Sequence, residues 1–190
     1  MADIKINGAT PSAFYVGSTA ATAVYYGSTK LWEAGSPTPS LPEKTIRCKF
    51  TAGYTPNFGT SKTLVDADQN IWDIYNSTSS WGYLLFMNTN LESIIAANTT
   101  GVTDMSGMCN GCTNLTNVPL FDTSSVTNMG NMFNNCYNVA SGALALYQQA
   151  STQATPPTNH NNTFKGCGIY TTTGSAELAQ IPASWGGNGA

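Results

Sequence analysis

Between Val102 and Val139 the apolar positions fall into two copies of one pattern, VTDMSGMCNGCTNL and VTNMGNMFNNCYNV, in which Val102, Met105, Met108, Cys112 and Asn114 return 24 residues later as Val126, Met129, Met132, Cys136 and Asn138. A fixed period of this length indicates a repeat architecture. The register runs backwards to a worn copy, with Trp81 at the Met105 position, Leu84 at Met108, Asn90 at Asn114 and Leu91 at Leu115. It also runs forwards to NNTFKGCG, where Phe164 aligns with Phe133 and Cys167 with Cys136. The spacing there is 31, so about seven residues have entered around GALALYQQASTQ.

Inside a unit, Val126, Met129, Met132, Phe133 and Cys136 keep to one face of a short helix or of successive 3₁₀ turns. The pattern then changes to Leu115, Val118 and Leu120, matched by Leu91, Ile94 and Ala96 before it and by Val139, Gly142 and Leu144 after it. This spacing predicts one short strand per unit, paired in a parallel sheet. One such unit cannot bury its own apolar face, so equivalent positions stack: Met105 over Met129, and Leu115 between Leu91 and Val139. Asn98 and Asp122 stand where a side-chain oxygen caps the turn that follows.

The flanks follow different patterns. In TIRCKF, Ile46, Cys48 and Phe50 alternate with Arg47 and Lys49, which predicts a strand with one buried face, covering the N-terminal end of the stack. GALALYQQAST predicts a short helix that stops before Pro156 and Pro157. A second is expected from about Ser175 to Gln180, stopped by Pro182, with Trp185 sealing the C-terminal end. Residues 1–32 hold their own repeat, FYVGST and then VYYGST, which predicts three or four short strands with tight Gly-Ser-Thr turns. Such a piece is too small for a core of its own, and its exposed edges seek partners. Either it packs as a small lobe on the rest of the chain, or it docks with copies of itself or with another protein through Phe14, Tyr15, Val16, Tyr25, Tyr26 and Trp32. Residues 33–43, EAGSPTPSLPE, hold three prolines and read as a linker.

Composition narrows the chemistry. Only 9% of the 190 residues are charged, and the 26 Thr, 19 Asn and 17 Ser supply an uncharged polar surface. A net charge of −3 without a basic cluster argues against nucleic-acid binding. No apolar run approaches the ~20 residues that cross a bilayer. The start, MADIKING, lacks the basic and apolar regions of a secretory leader, so manufacture in the cytoplasm is expected.

Candidate sites are few. Five cysteines suggest no disulfide framework. Cys109 and Cys112 form a C-x-x-C pair that could be joined by Cys136, Cys167 and His160 in a zinc site. The register explains them as core filler instead, with Cys112, Cys136 and Cys167 in one column and Cys109 in the place of Phe133. Asp66, Asp68 and Asn70 alternate like calcium ligands, but Ile71 and Ser77 stand where that loop needs Gly and Glu. From Val102 onward the carboxylates are Asp104, Asp122 and Glu177, and one His is present, so no catalytic set, cofactor or metal is assigned. An outward face carries Asn110, Asn114, Asn117, Asn134, Asn135, Tyr137 and Asn138, whose amides and ring suit sugar hydroxyls. The alternative is an uncharged solvated surface.

FDTSSVTNMGNMFNNC and GVTDMSGMCNGCTNLTNV resemble the BspA-like class of leucine-rich repeats, found in surface proteins of gut and oral bacteria and in phages of gut bacteria. The resemblance covers about residues 80–145, under half of the chain. It implies a mostly β fold with short helices: a small N-terminal β-element, then a short leucine-rich-repeat-like β-solenoid with helical caps over 44–190, including a degenerate repeat at 159–168. VYYGSTKLW is similar to segments of structural proteins of tailed phages, at ends that attach to the particle. Together these imply a virion protein, made in the host cytoplasm and carried on the virion surface. It would be anchored through residues 1–32 to other virion proteins and to copies of itself as a homo-oligomer. It would display the repeats to a host glycan or protein, with no nucleic-acid partner and no membrane insertion. A bacterial cell-surface adhesin is the alternative.

Overall fold

The computed structural model describes residues 41–189 in full and, of residues 1–40, only the backbone pairing of four short strands. The chain divides into two compact units, Met1–Ser40 and Leu41–Ala190. In the first, β1 (Tyr15–Val16) pairs antiparallel with β2 (Thr19–Ala20), and β3 (Ala23–Tyr26) with β4 (Thr29–Glu33). The innermost pairs are Val16 with Thr19 and Tyr26 with Thr29, equivalent positions of the ten-residue repeat. Phe14 lies outside the described residues, as do the side chains of Tyr15, Val16, Tyr25, Tyr26 and Trp32.

The second unit opens with an antiparallel sheet in the order β6-β7-β5-β8, formed by β5 (Thr45–Phe50), β6 (Ser61–Asp66), β7 (Ile71–Tyr75) and β8 (Leu91–Asn98). The alternation in β5 does what it predicts: Ile46, Cys48 and Phe50 are buried, while Arg47 and Lys49 are half-exposed and pair with Asp73 and Glu92. The hairpin β6–β7 is not foreshadowed, because β6 is an edge strand with no buried position and no apolar alternation. At its turn Asp66 accepts from the N–H groups of Asp68 and Gln69, so this segment is a hairpin loop.

One expectation is corrected here. Leu91–Asn98 is a strand, but it pairs antiparallel with β5 rather than in a parallel sheet with its copies. Residues 115–120 and 139–144 form no strand; they meet at the isolated parallel bridge Asn117↔Ser141 and through the N–H of Ala140 donating to the carbonyl of Thr116. Pro119 removes a donor just after Val118. Gly142, at φ 97°, turns the next copy directly into a helix.

From Trp81 onward the chain runs in short turns whose backbone groups bond to the equivalent turn of the next copy. Trp81, Tyr83, Leu85 and Met87 donate to the carbonyls of Asp104, Ser106, Met108 and Asn110. Met105, Gly107, Cys109 and Gly111 donate to Asn128, Gly130, Met132 and Asn134. The third set, Met129, Asn131, Phe133 and Asn135, donates to Asn159, Asn161, Thr163 and Lys165. The offset is 23 residues for the first two sets and 30 for the third, so the inserted residues are absorbed elsewhere. They form α1 (Ala143–Thr152). A second helix, α2 (Thr172–Leu178), starts three residues earlier than expected and is capped by the Thr171 hydroxyl accepting from the N–H of Gly174. A 3₁₀ turn, Ala183–Trp185, closes the described chain.

The buried residues form one cluster from Ile46 to Trp185, with Met105, Met108, Met129 and Met132 fully enclosed. Within it the rings of Phe121, Phe133, Phe164 and Trp185 follow one another at centroid distances of 6.2, 6.1 and 6.4 Å, those of Phe133 and Phe164 nearly parallel. Trp185 therefore ends that column, and it also stacks with His160 at 4.3 Å. The fold is mostly β, an open four-stranded antiparallel sheet followed by hydrogen-bonded turns and two short helices.

Candidate functional site

Each turn repeats two backbone devices. The first is a capping column at Ser80, Asp104, Asn128 and Asn159, joined by parallel bridges. There a side-chain oxygen accepts the N–H two residues on: Asp104 from Ser106 at 3.0 Å, Asn128 from Gly130 at 3.1 Å, Asn159 from Asn161 at 3.3 Å. These Asx turns start each coil. Asp104 is thus a cap, as its alignment with Asn128 indicates. Its own burial pushes its pKa up, but the Ser106 N–H and hydroxyl and the Ser80 hydroxyl outweigh this and hold it below the usual carboxylate value. Asn98 and Asp122 cap their turns in the same way, accepting from Thr100 and Ser124.

The second device is a pair of left-handed residues four apart. Tyr83 and Met87 are followed in register by Gly107 and Gly111, then Asn131 and Asn135, then Asn162 and Gly166, all with φ between 52° and 76°. Gly and Asn are the residues that adopt this conformation at least cost. Tyr and Met are not, and each costs of order 1–3 kcal/mol there. Tyr83 nevertheless lies against Gly107, where an added Cβ would come within 2.5 Å of its ring, and Met87 lies against Gly111 in the same manner at 3.1 Å. Both stay open to solvent, at 57% and 64%. Phe86, exposed at 45%, meets Tyr83 edge-on at 5.4 Å.

The residues predicted to form a ligand face divide into two groups. Asn114 and Asn138 donate to the carbonyls of Thr89 and Thr113, one copy back, at 2.7 and 2.8 Å. Asn117 donates to the carbonyl of Ile94 at 2.9 Å and accepts its N–H at 3.2 Å. These three amides join neighbouring turns. Asn110, Asn134 and Asn135 lie instead in the rows begun by Phe86 and Met87. The carbonyls of Asn110 and Asn134 take up the ladder, Asn134 Nδ2 reaches Asn131 Oδ1 at 3.4 Å, and Asn134 Oδ1 is buried without a protein partner. Tyr137 pairs with exposed Tyr170 at 5.0 Å and leans toward Gly166. Tyr83, Phe86, Met87 and Tyr170 escaped sequence reasoning. The signal was present in the register, where Tyr83 and Met87 align with glycine and asparagine.

The cysteines are all buried and reduced. Cys112 Sγ donates to the carbonyl of Leu85 and Cys136 Sγ to that of Cys109, both at 3.0 Å, the same bond one copy apart. Burial pushes the thiols of Cys48, Cys109 and Cys136 well up, and burial with the nearby Glu177 charge brings Cys167 to about 12. Among the described residues no three His, Cys, Asp or Glu side chains are grouped to hold a metal ion, and no helix is long and apolar enough to cross a membrane. A shallow depression beside the sheet is lined by Lys49, Phe50, Asp68 and Glu92, and Lys49 is already paired with Glu92 at 2.9 Å.

The family described as "Mycoplasma protein of unknown function, DUF285" matches residues 60–167, more than half of the chain. No curated protein and no solved structure matches.

Proposed function

The chain belongs to the DUF285 family, and from that premise we propose that residues 44–190 form a short BspA-like β-solenoid whose work is display and adhesion rather than catalysis. The observation that carries this reading is the ladder from Trp81 to Lys165, in which three successive sets of four N–H groups bond to the next copy. Such a stack consumes its backbone and apolar groups in packing and offers only the outward side chains of its turns. The chemistry-bearing residues fit that division. The cysteines serve as core and the carboxylates at 104 and 122 as caps, while Glu177 holds the start of α1 by accepting from Gly142 and Leu144 at 3.2 and 3.1 Å.

The carrier we propose is a bacteriophage particle. Residues 1–32 would anchor the chain to virion proteins and to its own copies, and the repeats would face the host surface. Two short hairpins with equivalent pairing, each too small to stand alone, support an anchoring role. The VYYGSTKLW resemblance points the same way. A bacterial surface adhesin is the second reading, favoured by a family description that names Mycoplasma. Immunogold labelling of purified phage particles and of uninfected cells separates the two. Gold on particles is expected, with loss of incorporation when residues 1–32 are deleted; gold confined to the cell envelope overturns the phage reading.

A further inference from the structure

The outward rows of the four turns are not alike. The first carries Tyr83, Phe86 and Met87; the second, in the same register, carries Gly107, Asn110 and Gly111; the third carries Asn131, Asn134 and Asn135. An exposed apolar step therefore stands on the next turn, the Tyr83 ring lying over buried Gly107 and Met87 over Gly111, and beyond it the rows carry amides. Two observations set the step apart from ordinary surface. Tyr83 and Met87 occupy left-handed positions that the other turns give to Gly or Asn. They also remain more than half exposed, so burial does not compensate the strain. Strain held at exposed Tyr83 and Met87 points outward, to something that binds.

The surroundings select the ligand. From residue 63 to residue 164 the chain contains no Lys or Arg, and Lys165 enters only in the fourth turn. The first three turns thus supply no cation to neutralise sulfate, phosphate or uronate. Aromatic rings pack against the C–H faces of pyranose sugars, and amides both donate to and accept from hydroxyls. We infer that Tyr83, Phe86 and Met87, with the neighbouring amides of Asn110 and Asn131, form a binding site for an uncharged polysaccharide. The inference rests on the display reading above and assigns it a location and a ligand class.

The test uses the full chain with immobilised mannan, dextran and galactan, and alginate as the anionic control. The double variant Tyr83→Asn, Met87→Asn installs the residues of the third turn, which suit the left-handed backbone. Wild type is expected to bind at least one neutral polymer more tightly than alginate. The double variant is expected to bind it at least tenfold more weakly with an unchanged or higher melting temperature. Phe86→Ala, at a position without backbone strain, is expected to weaken binding as well, and it decides the matter if the double variant melts lower. No retention by any neutral polymer, tighter binding to alginate, or affinity preserved in both variants overturns the site. Adhesion of the chain to bacterial cells that survives both variants removes the site and leaves the display reading intact; a chain found neither on particles nor on cells removes both.

Discussion

Asn117 holds Ile94 by both of its backbone groups, donating to the carbonyl and accepting the N–H as a neighbouring strand would. Ile94 lies in β8, the strand at one end of the sheet, so a side chain completes the edge where the sheet meets the first full repeat. Asn117→Leu leaves both groups of Ile94 unpaired and is expected to cost about 1–3 kcal/mol. Asn110→Ala, in an outward row, is expected to stay within about 0.5 kcal/mol. Urea denaturation followed by tryptophan fluorescence measures both.

Gly142 and Gly53 are both left-handed, yet they differ in what a side chain would meet. A Cβ on Gly142 would lie 1.9 Å from the carbonyl oxygen of Val118, whereas one on Gly53 would meet nothing within 4 Å. Gly142→Ala is expected to lose about 3 kcal/mol or more, because backbone must move. Gly53→Ala is expected to lose about 1 kcal/mol, the conformational cost alone. Thermal melts of the two variants rank them.

Glu177 supplies the cap that α1 lacks on its own, reaching across from α2 to the N–H groups of Gly142 and Leu144. Glu177→Ala is expected to destabilise by about 1 kcal/mol. Glu177→Gln should recover part of that loss, since one amide oxygen still accepts. Denaturation midpoints of the three proteins read this order.

The buried thiols should be chemically silent while the protein is folded. All five are enclosed, and burial raises the pKa values of Cys48, Cys109, Cys136 and Cys167 above the ordinary thiol value, which keeps those four protonated at pH 8. Native protein is expected to take up almost no maleimide, and denatured protein to take up five equivalents, one for each Cys of the sequence. Mass spectrometry after labelling counts them.

Asp104 and Asp122 give the fold an acid limit. Hydrogen bonds from Ser106 and Ser80 in one case, and from the Ser124 hydroxyl and N–H in the other, lower the folded-state pKa values. A lowered folded value means stability that is present above the unfolded pKa and lost as pH falls through the folded one. The melting temperature should hold above about pH 4 and drop below it. In Asp104→Asn, Asp122→Asn, which keeps a capping oxygen, the drop should be shallower.

Much of the mostly β fold was legible because identical side chains recur at fixed intervals. The intervals of 24 and 31 reappear in the parallel bridges from Ser80 to Asn159, and the residues that separate them appear as α1. The β6–β7 hairpin was not legible, since a largely exposed strand needs no apolar alternation. Nor was the pairing of β8, because its sequence matches its copies while its position beside β5 makes it an antiparallel strand. At the candidate site, asparagine at 114, 117 and 138 reads the same whether its amide faces a ligand or a backbone carbonyl. Only coordinates separate the two. Tyr83 and Met87 could be found only through the register: a left-handed backbone is betrayed by Gly and Asn, which these positions lack and their copies carry.

The offset of the ladder, 23 residues and 30 where α1 intervenes, also governs which lengths of chain can be spliced in or out. Removing or duplicating a whole 24-residue unit re-forms the same partners across the cut. A deletion of a few residues inside a turn throws every later donor out of phase and turns methionine and cysteine toward water. Changes of other sizes are harmless only where the chain has already left the ladder, as it does between Ala143 and Thr152. Lineages of this chain should accordingly differ by whole units along the stack and by arbitrary lengths at α1.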